Sequence, residues 1–493
     1  MFEVTELTET IDVKKITPYE WEVPKRGEML VPGKIFGDKA IIDHLLEDVR
    51  LGKEWNALKQ IVNVAHLPGI LKASLAMPDV HPGYGFPIGG VGAFDLDEGV
   101  ISVAGVGYDI NCGVRMLKTP LTRQEVEGKK QELGAALFRN IPAGLGSEGD
   151  VRLTMREIDE VLRRGARFVV EERGYGTEDD LEHTEEKGCV PGAKPENVSH
   201  RAKQRQVKQI GTLGSGNHYL EVQYINEIFD EEVAETYGLF KDQIVLSIHC
   251  GSRGLGHQIG TDYLKILDAA SKKYKIPIRE RELVCAPFNS EEGQQYFSAV
   301  NCGINAAFCN RQAITYLTRK TLVSVMGIAE DDVKTFYGVG HNTAKLETHS
   351  VNGKPKQILV MRKGATRGFG PGREEIPLEY RDVGQPVIVG GTMGTSSYVL
   401  KGTEKGMRDT WGSTNHGAGR VMSRKQAKKR YWGATVIKEL GARGILVKDH
   451  SKAGVAEEAP GAYKDVNHVV NVMHSSGISA KVVQVKPLIV IKG

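Results

Sequence analysis

Glycine limits what this chain can do locally: 58 of its 493 residues are glycine, and they gather in a few places. The densest runs are "HPGYGFPIGGVGAF" (81–94), "VAGVGYDINCGV" (103–114), "GTLGSGNHYLEV" (211–222), "HCGSRGLGH" (249–257), "YGVGHN" (337–342), "VGGTMGTSSY" (389–398) and "STNHGAGR" (413–420). Such density weakens regular structure and favours sharp turns, or backbone that comes close to a strand, an anion or a metal. A histidine lies in or beside most of the runs. Charged stretches of helical character separate them, at 122–138, 151–173, 258–275 and 424–441. No repeat and no low-complexity linker divides the chain.

Composition excludes several classes. The 40% hydrophobic and 26% charged fractions are those of an ordinary soluble protein. No apolar stretch reaches the length of a membrane span, and the acidic start "MFEVTELTET" does not read as a signal peptide. The formal net charge is +3, so any nucleic-acid contact must come from local patches. Six cysteines without a CxxC pair suit the reducing cytoplasm. Cys302 and Cys309 fall in "SEEGQQYFSAVNCGINAAFCNRQAITYL", which reads as a long buried helix. Like Cys189 and Cys285, they read as packing residues.

The stretch "QIVLSIHCGSRGLGHQIGTDYLKILDAASKKY" predicts a strand over 244–248, a glycine loop, and then a helix with one apolar face. His249 ends the strand and Arg253 lies in the loop, where α/β proteins collect ligands. A packed histidine and a surface arginine are the equal alternative. Over 217–225 the alternation predicts a strand with Asn217, Tyr219 and Glu221 on one face and His218, Leu220 and Val222 on the other. His218 is then either a core histidine or a ligand.

Asp109, Cys112, His218, His249 and His341 each lie in or next to a glycine-rich run. Together they offer carboxylate, thiolate and imidazole. Five donors exceed a closed tetrahedral site but suit two adjacent metals sharing one, and a thiolate can bridge. Cys112 is the natural shared donor.

The segments "MPDVHPGYGFPIGG", "GYDINCGVR", "GSGNHYLEVQ", "HCGSRGLGH" and "STNHGAGR" together closely resemble the RtcB family of RNA-splicing ligases, from about residue 25 to Lys492-Gly493. The resemblance implies an α+β class: a distinctive mixed α/β fold, one catalytic domain over 1–493, with glycine-rich loops converging on a central metal and nucleotide site. It implies a cytoplasmic ligase that joins RNA ends bearing a 2′,3′-cyclic phosphate or 3′-phosphate to 5′-hydroxyl ends, in tRNA splicing or RNA repair. GTP would be the co-substrate and two Mn²⁺ ions the cofactors, with archease as a possible activator. Asp109, Cys112 and His218 would hold one ion; Cys112, His249 and His341 would hold the other. His416 corresponds to the histidine that takes GMP, with Gly417, Ala418 and Gly419 beside it. The remaining nucleotide contacts would be Asn217, His218, Glu221, Asn342, Thr392, Ser397, Tyr463 and Lys492, with Glu221 reading the guanine edge. Manganese comes from the resemblance alone, because a thiolate-containing site by itself favours zinc.

RNA contacts are expected from Arg253, Arg420 and the basic runs at 200–208 and 423–430, although a solvated helix face explains such runs equally well. Tyr84, Phe86 and Tyr108 could stack on bases, with packing the commoner role. Two rival readings are a metal-dependent phosphodiesterase without a nucleotidyl intermediate and a non-catalytic RNA-binding subunit. The "HGAGR" run argues against the first, and the complete donor set against the second.

Overall fold

Two large sheets carry most of the strands in the computed structural model, which describes residues 11–149 and 151–493. The acidic segment 1–10 lies outside the described residues. The first sheet has seven strands, in the order Lys14–Lys15, Glu20–Val23, Gly33–Phe36, Ser74–His81, Ile88–Phe94, Lys354–Lys363, Asn342–Val351. Only the pair Gly33–Phe36 and Ser74–His81 is parallel. The second sheet runs Lys334–Gly340, Gly113–Thr122, Gln243–Cys250, Tyr219–Ile228, Ser479–Lys492, Ser397–Gly402, Pro386–Val389. Strand Leu446–Asp449 adds to it in parallel, along the second half of Ser479–Lys492. The class is α+β.

Helix Glu291–Met326 is the long buried helix expected from sequence, and every residue from Ser298 to Thr315 is buried. Helices Lys130–Asn140, Met155–Arg164, Ala166–Arg173 and Arg253–Lys273 pack around it. Cys302 and Cys309 are core residues there, as read. Its buried polar side chains are not idle. Asn305 bonds the backbone at Leu162 and Val190, and Gln312 bonds Tyr175 O. Such bonds satisfy groups that burial would otherwise penalise.

Three of the four expected charged helices break in two. Residues 122–138 form Arg123–Glu127 and Lys130–Asn140, and 424–441 form Arg424–Arg430 and Gly433–Ala442. Residues 151–173 divide at Gly165, whose φ of +58° no helix continues through. The fourth grows instead: helix Arg253–Lys273 starts five residues early and absorbs the "glycine loop". Arg253 is therefore its first residue. Strand Tyr219–Ile228 begins two residues later than expected, which leaves Asn217 and His218 in the turn before it. Among the described residues, no helix is long and apolar enough to cross a membrane.

One buried ion pair fastens helix Glu291–Met326 to its surroundings. Asp180 is fully buried, and its two oxygens accept from Arg319 Nη1 and Nη2 at 2.6 Å each. Burial alone would raise the Asp180 carboxyl, but the Arg319 guanidinium outweighs it and holds the group well below the usual carboxylate range. Removing one partner strands the other charge, which costs about 3–5 kcal/mol, whereas removing both costs much less. Asp180→Ala should therefore lower stability in urea by roughly that amount, and Asp180→Leu with Arg319→Leu should recover most of it. A double mutant no better than the single one would contradict this account.

Candidate metal and nucleotide site

Four neighbouring strands of the second sheet end at one place. His341 follows strand Lys334–Gly340, Cys112 precedes Gly113–Thr122, His249 lies near the end of Gln243–Cys250, and His218 precedes Tyr219–Ile228. Antiparallel register does the rest: Gly340 pairs with Gly113, Gly113 with Cys250, and His249 with Tyr219. The glycine at 113 is required by close approach, since a Cβ there would stand 2.2 Å from Val339 O.

The donor atoms converge. Cys112 Sγ lies 3.4 Å from His218 Nε2 and 3.2 Å from His249 Nε2. His249 Nε2 is 3.2 Å from His341 Nε2, and His218 Nε2 is 2.8 Å from Asp109 Oδ2. Two three-residue groups result, Asp109–Cys112–His218 and Cys112–His249–His341, each with its donor atoms within 4.8 Å of one another. Cys112 belongs to both. The far nitrogens are occupied: His218 Nδ1 faces Leu213 O at 2.9 Å, and His249 Nδ1 faces Asn217 O at 3.1 Å. Each ring is thereby aimed with Nε2 inward, as metal-binding imidazoles are. Soft and hard donors together, mutually close and all but Asp109 buried, fit divalent transition-metal ions.

Burial sets the protonation here. It pushes the Cys112 thiol well up, helped by the Asp109 charge, and pushes His249 and His341 well below the usual imidazole range. Asp109 goes the other way: burial would raise it, but His218 and Arg253 hold it down to about 2.

A cavity adjoins the donor cluster, and His249 and His416 line it. His416 follows strand Ser413–Asn415, and its ring centroid is 4.8 Å from that of His341. Its Nδ1 lies 2.7 Å from Asp79 Oδ2, an oxygen that also accepts from the backbone N–H groups of His416 and Gly417. Nε2 is left for the cavity. Asn217, Glu221, Thr392, Gly417, Ala418, Gly419, Tyr463 and Lys492 line the same space.

Lys492 is no mobile terminal charge: it is buried and donates to Gly216 O and His218 O. Burial pushes Glu221 up to about 7, against the Gln223 hydrogen bond and the Lys492 charge.

Three expected nucleotide residues do not line this cavity: His218 faces Cys112 and Asp109 instead, and Ser397 and Asn342 stand behind the wall. Ser397 accepts from Gly391 N at 3.0 Å and so supports the Gly391–Thr392 loop. Asn342 donates to Asp109 O and accepts from Gly364 N.

The family model described as tRNA-splicing ligase RtcB matches residues 60–493. A tRNA-splicing ligase RtcB of Thermococcus kodakarensis is 52% identical over 490 residues, covering 99% of this chain and all of that protein. Those of Methanococcus maripaludis and Archaeoglobus fulgidus are 53% and 51% identical, covering 96% and 98% of this chain and 98% and 99% of their own. This chain belongs to the RtcB family.

Within that RtcB frame, sequence reasoning missed two supports. Asp79 sits in the quoted "MPDVHPGYGFPIGG" but carries no spacing signal toward residue 416. Asn310 and Arg311, in the middle of the buried helix, bind three donor-bearing loops at once. Arg311 Nη1 donates to Asn111 O and Cys250 O, and Asn310 bonds Thr212 and Gly251. Of the expected stacking residues, one is ruled out. Phe86 is fully buried in the core and cannot stack on a base. Arg420 pairs with Glu458, and Arg253 bonds Thr212.

Shared and unshared thiols should behave differently. Cys112→Ser should lose both metal ions, while Cys250→Ser, whose sulfur only accepts from Asn310 Nδ2, should keep them. Mass spectrometry of the intact protein and elemental analysis read this directly; two tightly held ions in Cys112→Ser would exclude a bridging thiolate.

Proposed function

We propose that the chain is a single catalytic unit over residues 1–493, a GTP- and Mn²⁺-dependent ligase acting in tRNA splicing or RNA repair. It joins RNA 2′,3′-cyclic phosphate or 3′-phosphate ends to 5′-hydroxyl ends. The observation that carries this reading is the placement of His416, whose Nδ1 is taken by Asp79 and whose ring lies against His341 at the wall of the Glu221–Lys492 cavity.

Asp79 accepts from His416 Nδ1–H and so leaves a lone pair on Nε2. That lone pair attacks the α-phosphorus of GTP; the α–β bridging bond breaks and pyrophosphate leaves. A 3′-phosphate oxygen of the RNA, after water has opened any cyclic phosphate, then takes the GMP and frees the imidazole. Last, the 5′-hydroxyl oxygen attacks the RNA phosphorus, gives up its proton, and GMP departs. Ala418 and Gly419 line the cavity, where their backbone N–H groups would serve phosphate, while the Gly417 N–H is held by Asp79. Bound by Asp109, Cys112 and His218 and by Cys112, His249 and His341, manganese would neutralise charge on the phosphate oxygens. The substrates are thus GTP and RNA, in the cytoplasm, with archease a possible activator.

Glu221 gives the guanine preference a pH signature. Its carboxylate can accept from guanine N1–H and the 2-amino group only when ionised, and burial places its titration at about 7. GTP affinity should therefore fall as pH drops through 7, approaching tenfold per unit below it. Glu221→Gln should bind GTP weakly with a flat profile over pH 6–8. An equally steep profile in that variant would remove Glu221 from the guanine site.

The histidine itself admits a sharper test. With α-labelled GTP and Mn²⁺ the protein should carry GMP on His416, labile in acid and more durable in base. His416→Ala should fail with 3′-phosphate RNA and GTP, yet seal RNA already carrying a 3′-diphosphate-guanosine cap to a 5′-hydroxyl strand. Label on any lysine would sink the assignment. Failure of His416→Ala with capped RNA, metal content being intact, would give the imidazole a part in sealing as well.

A further inference from the structure

A groove opens beside the nucleotide cavity and shares His81, Ile88, Arg420 and Arg424 with it. The rest of its wall mixes apolar with polar side chains, and some of its apolar surface is open to solvent. Trp55 and Val421 are 45% and 40% exposed, and Val80, Pro82 and Met422 line the space with them. Exposed apolar surface rimmed by polar groups marks a binding surface more often than chance. The indole is also braced. The Tyr84 ring lies 6.3 Å away at 32°, and Tyr84 leans edge-on against Tyr108 at 5.6 Å, one residue before the donor Asp109.

The surroundings are cationic. Lys53 and Arg424 line the groove, and helix Arg424–Arg430 continues from it, burying only Ala427 while its arginines and lysines face solvent. Asp48 answers Lys53, Glu457 answers Lys428, and Glu457 and Glu458 both answer Arg424, so the net positive charge of the helix surface rests on Lys425, Lys429 and Arg430. A flat apolar ring next to a positive track is the chemistry that seats single-stranded nucleic acid: bases stack on the ring and phosphates follow the charge.

We propose that this groove seats the RNA strand bearing the 3′-phosphate, with a base near the reactive end stacked on Trp55 and the following phosphates along helix Arg424–Arg430. The assignment rests on the ligase reading above. It is to this strand because the strand that receives GMP must bring its phosphate into the nucleotide cavity. The groove shares a wall with that cavity, whereas none of Asp109, Cys112, His218, His249 and His341 lines the groove.

Fluorescence anisotropy tests this with the full chain, Mn²⁺ and labelled single-stranded RNA ending in a 3′-phosphate. Trp55→Ala should weaken binding roughly ten- to hundredfold, and Trp55→Phe should restore most of it. Lys429→Ala should lower the slope of log Kd against log salt by about 0.7. GMP transfer from GTP to the protein should be unchanged in Trp55→Ala, which also reports that the variant folds. Wild-type affinity in Trp55→Ala would overturn the proposal. So would loss confined to 5′-hydroxyl RNA, which would give the groove to the other strand. Trp55-dependent binding without any GMP-labelled protein would uphold the groove and count against the nucleotidyl-transfer reading.

Discussion

Everything at this site depends on holding a buried thiol, three buried imidazoles and a partly exposed carboxylate together. Left to themselves these groups oppose the arrangement. Burial favours the neutral thiol of Cys112 and neutral rings at His249 and His341, so lone pairs and a proton crowd a space 3.2–3.4 Å across. A divalent cation would reverse the balance, since these donors would give it their lone pairs and the thiol its proton. The protein supplies the geometry beforehand. Strand register brings the donors to one end of the sheet, and Arg311 and Asn310 clamp the loops that carry them.

The same logic explains which parts of the molecule sequence could reveal. The buried helix over 291–326 and the strand over 243–250 were legible because apolar runs encode burial directly. The five donors were legible as residue types beside glycines, but their convergence was not, since it is a property of register between strands far apart in sequence. The resemblance to RtcB proteins supplied that convergence, and the structure brings the same five residues together.

Where local reading failed, one glycine had two possible meanings. The "HCGSRGLGH" run was read as a loop, yet it opens helix Arg253–Lys273. At Gly256 a Cβ would stand 2.0 Å from Ser252 Oγ, so this glycine serves close packing. Propensity alone cannot separate a turn from a close approach. Asp79 was hidden for a related reason. A single carboxylate declares a role only when the imidazole it orients, 337 residues away, lies against it.

The two histidines that face each other across the site follow different strands, and a buried ionic knot joins those strands. Glu185 accepts from the backbone N–H of Gly340, next to His341. It also pairs with Lys345 and Arg367, as does Glu186. Arg367 closes strand Ala365–Arg367, which pairs with Ser413–Asn415 just ahead of His416, and Ala365 N donates to His341 O. The chain bends sharply to build this: Glu186 and Lys187 both take positive φ, at about 1–3 kcal/mol each. An apolar plug of the same volume could match the stability of such pairs. It could not hold two backbone segments at one spacing through directed bonds. Placing His416 against His341 needs direction more than it needs stability.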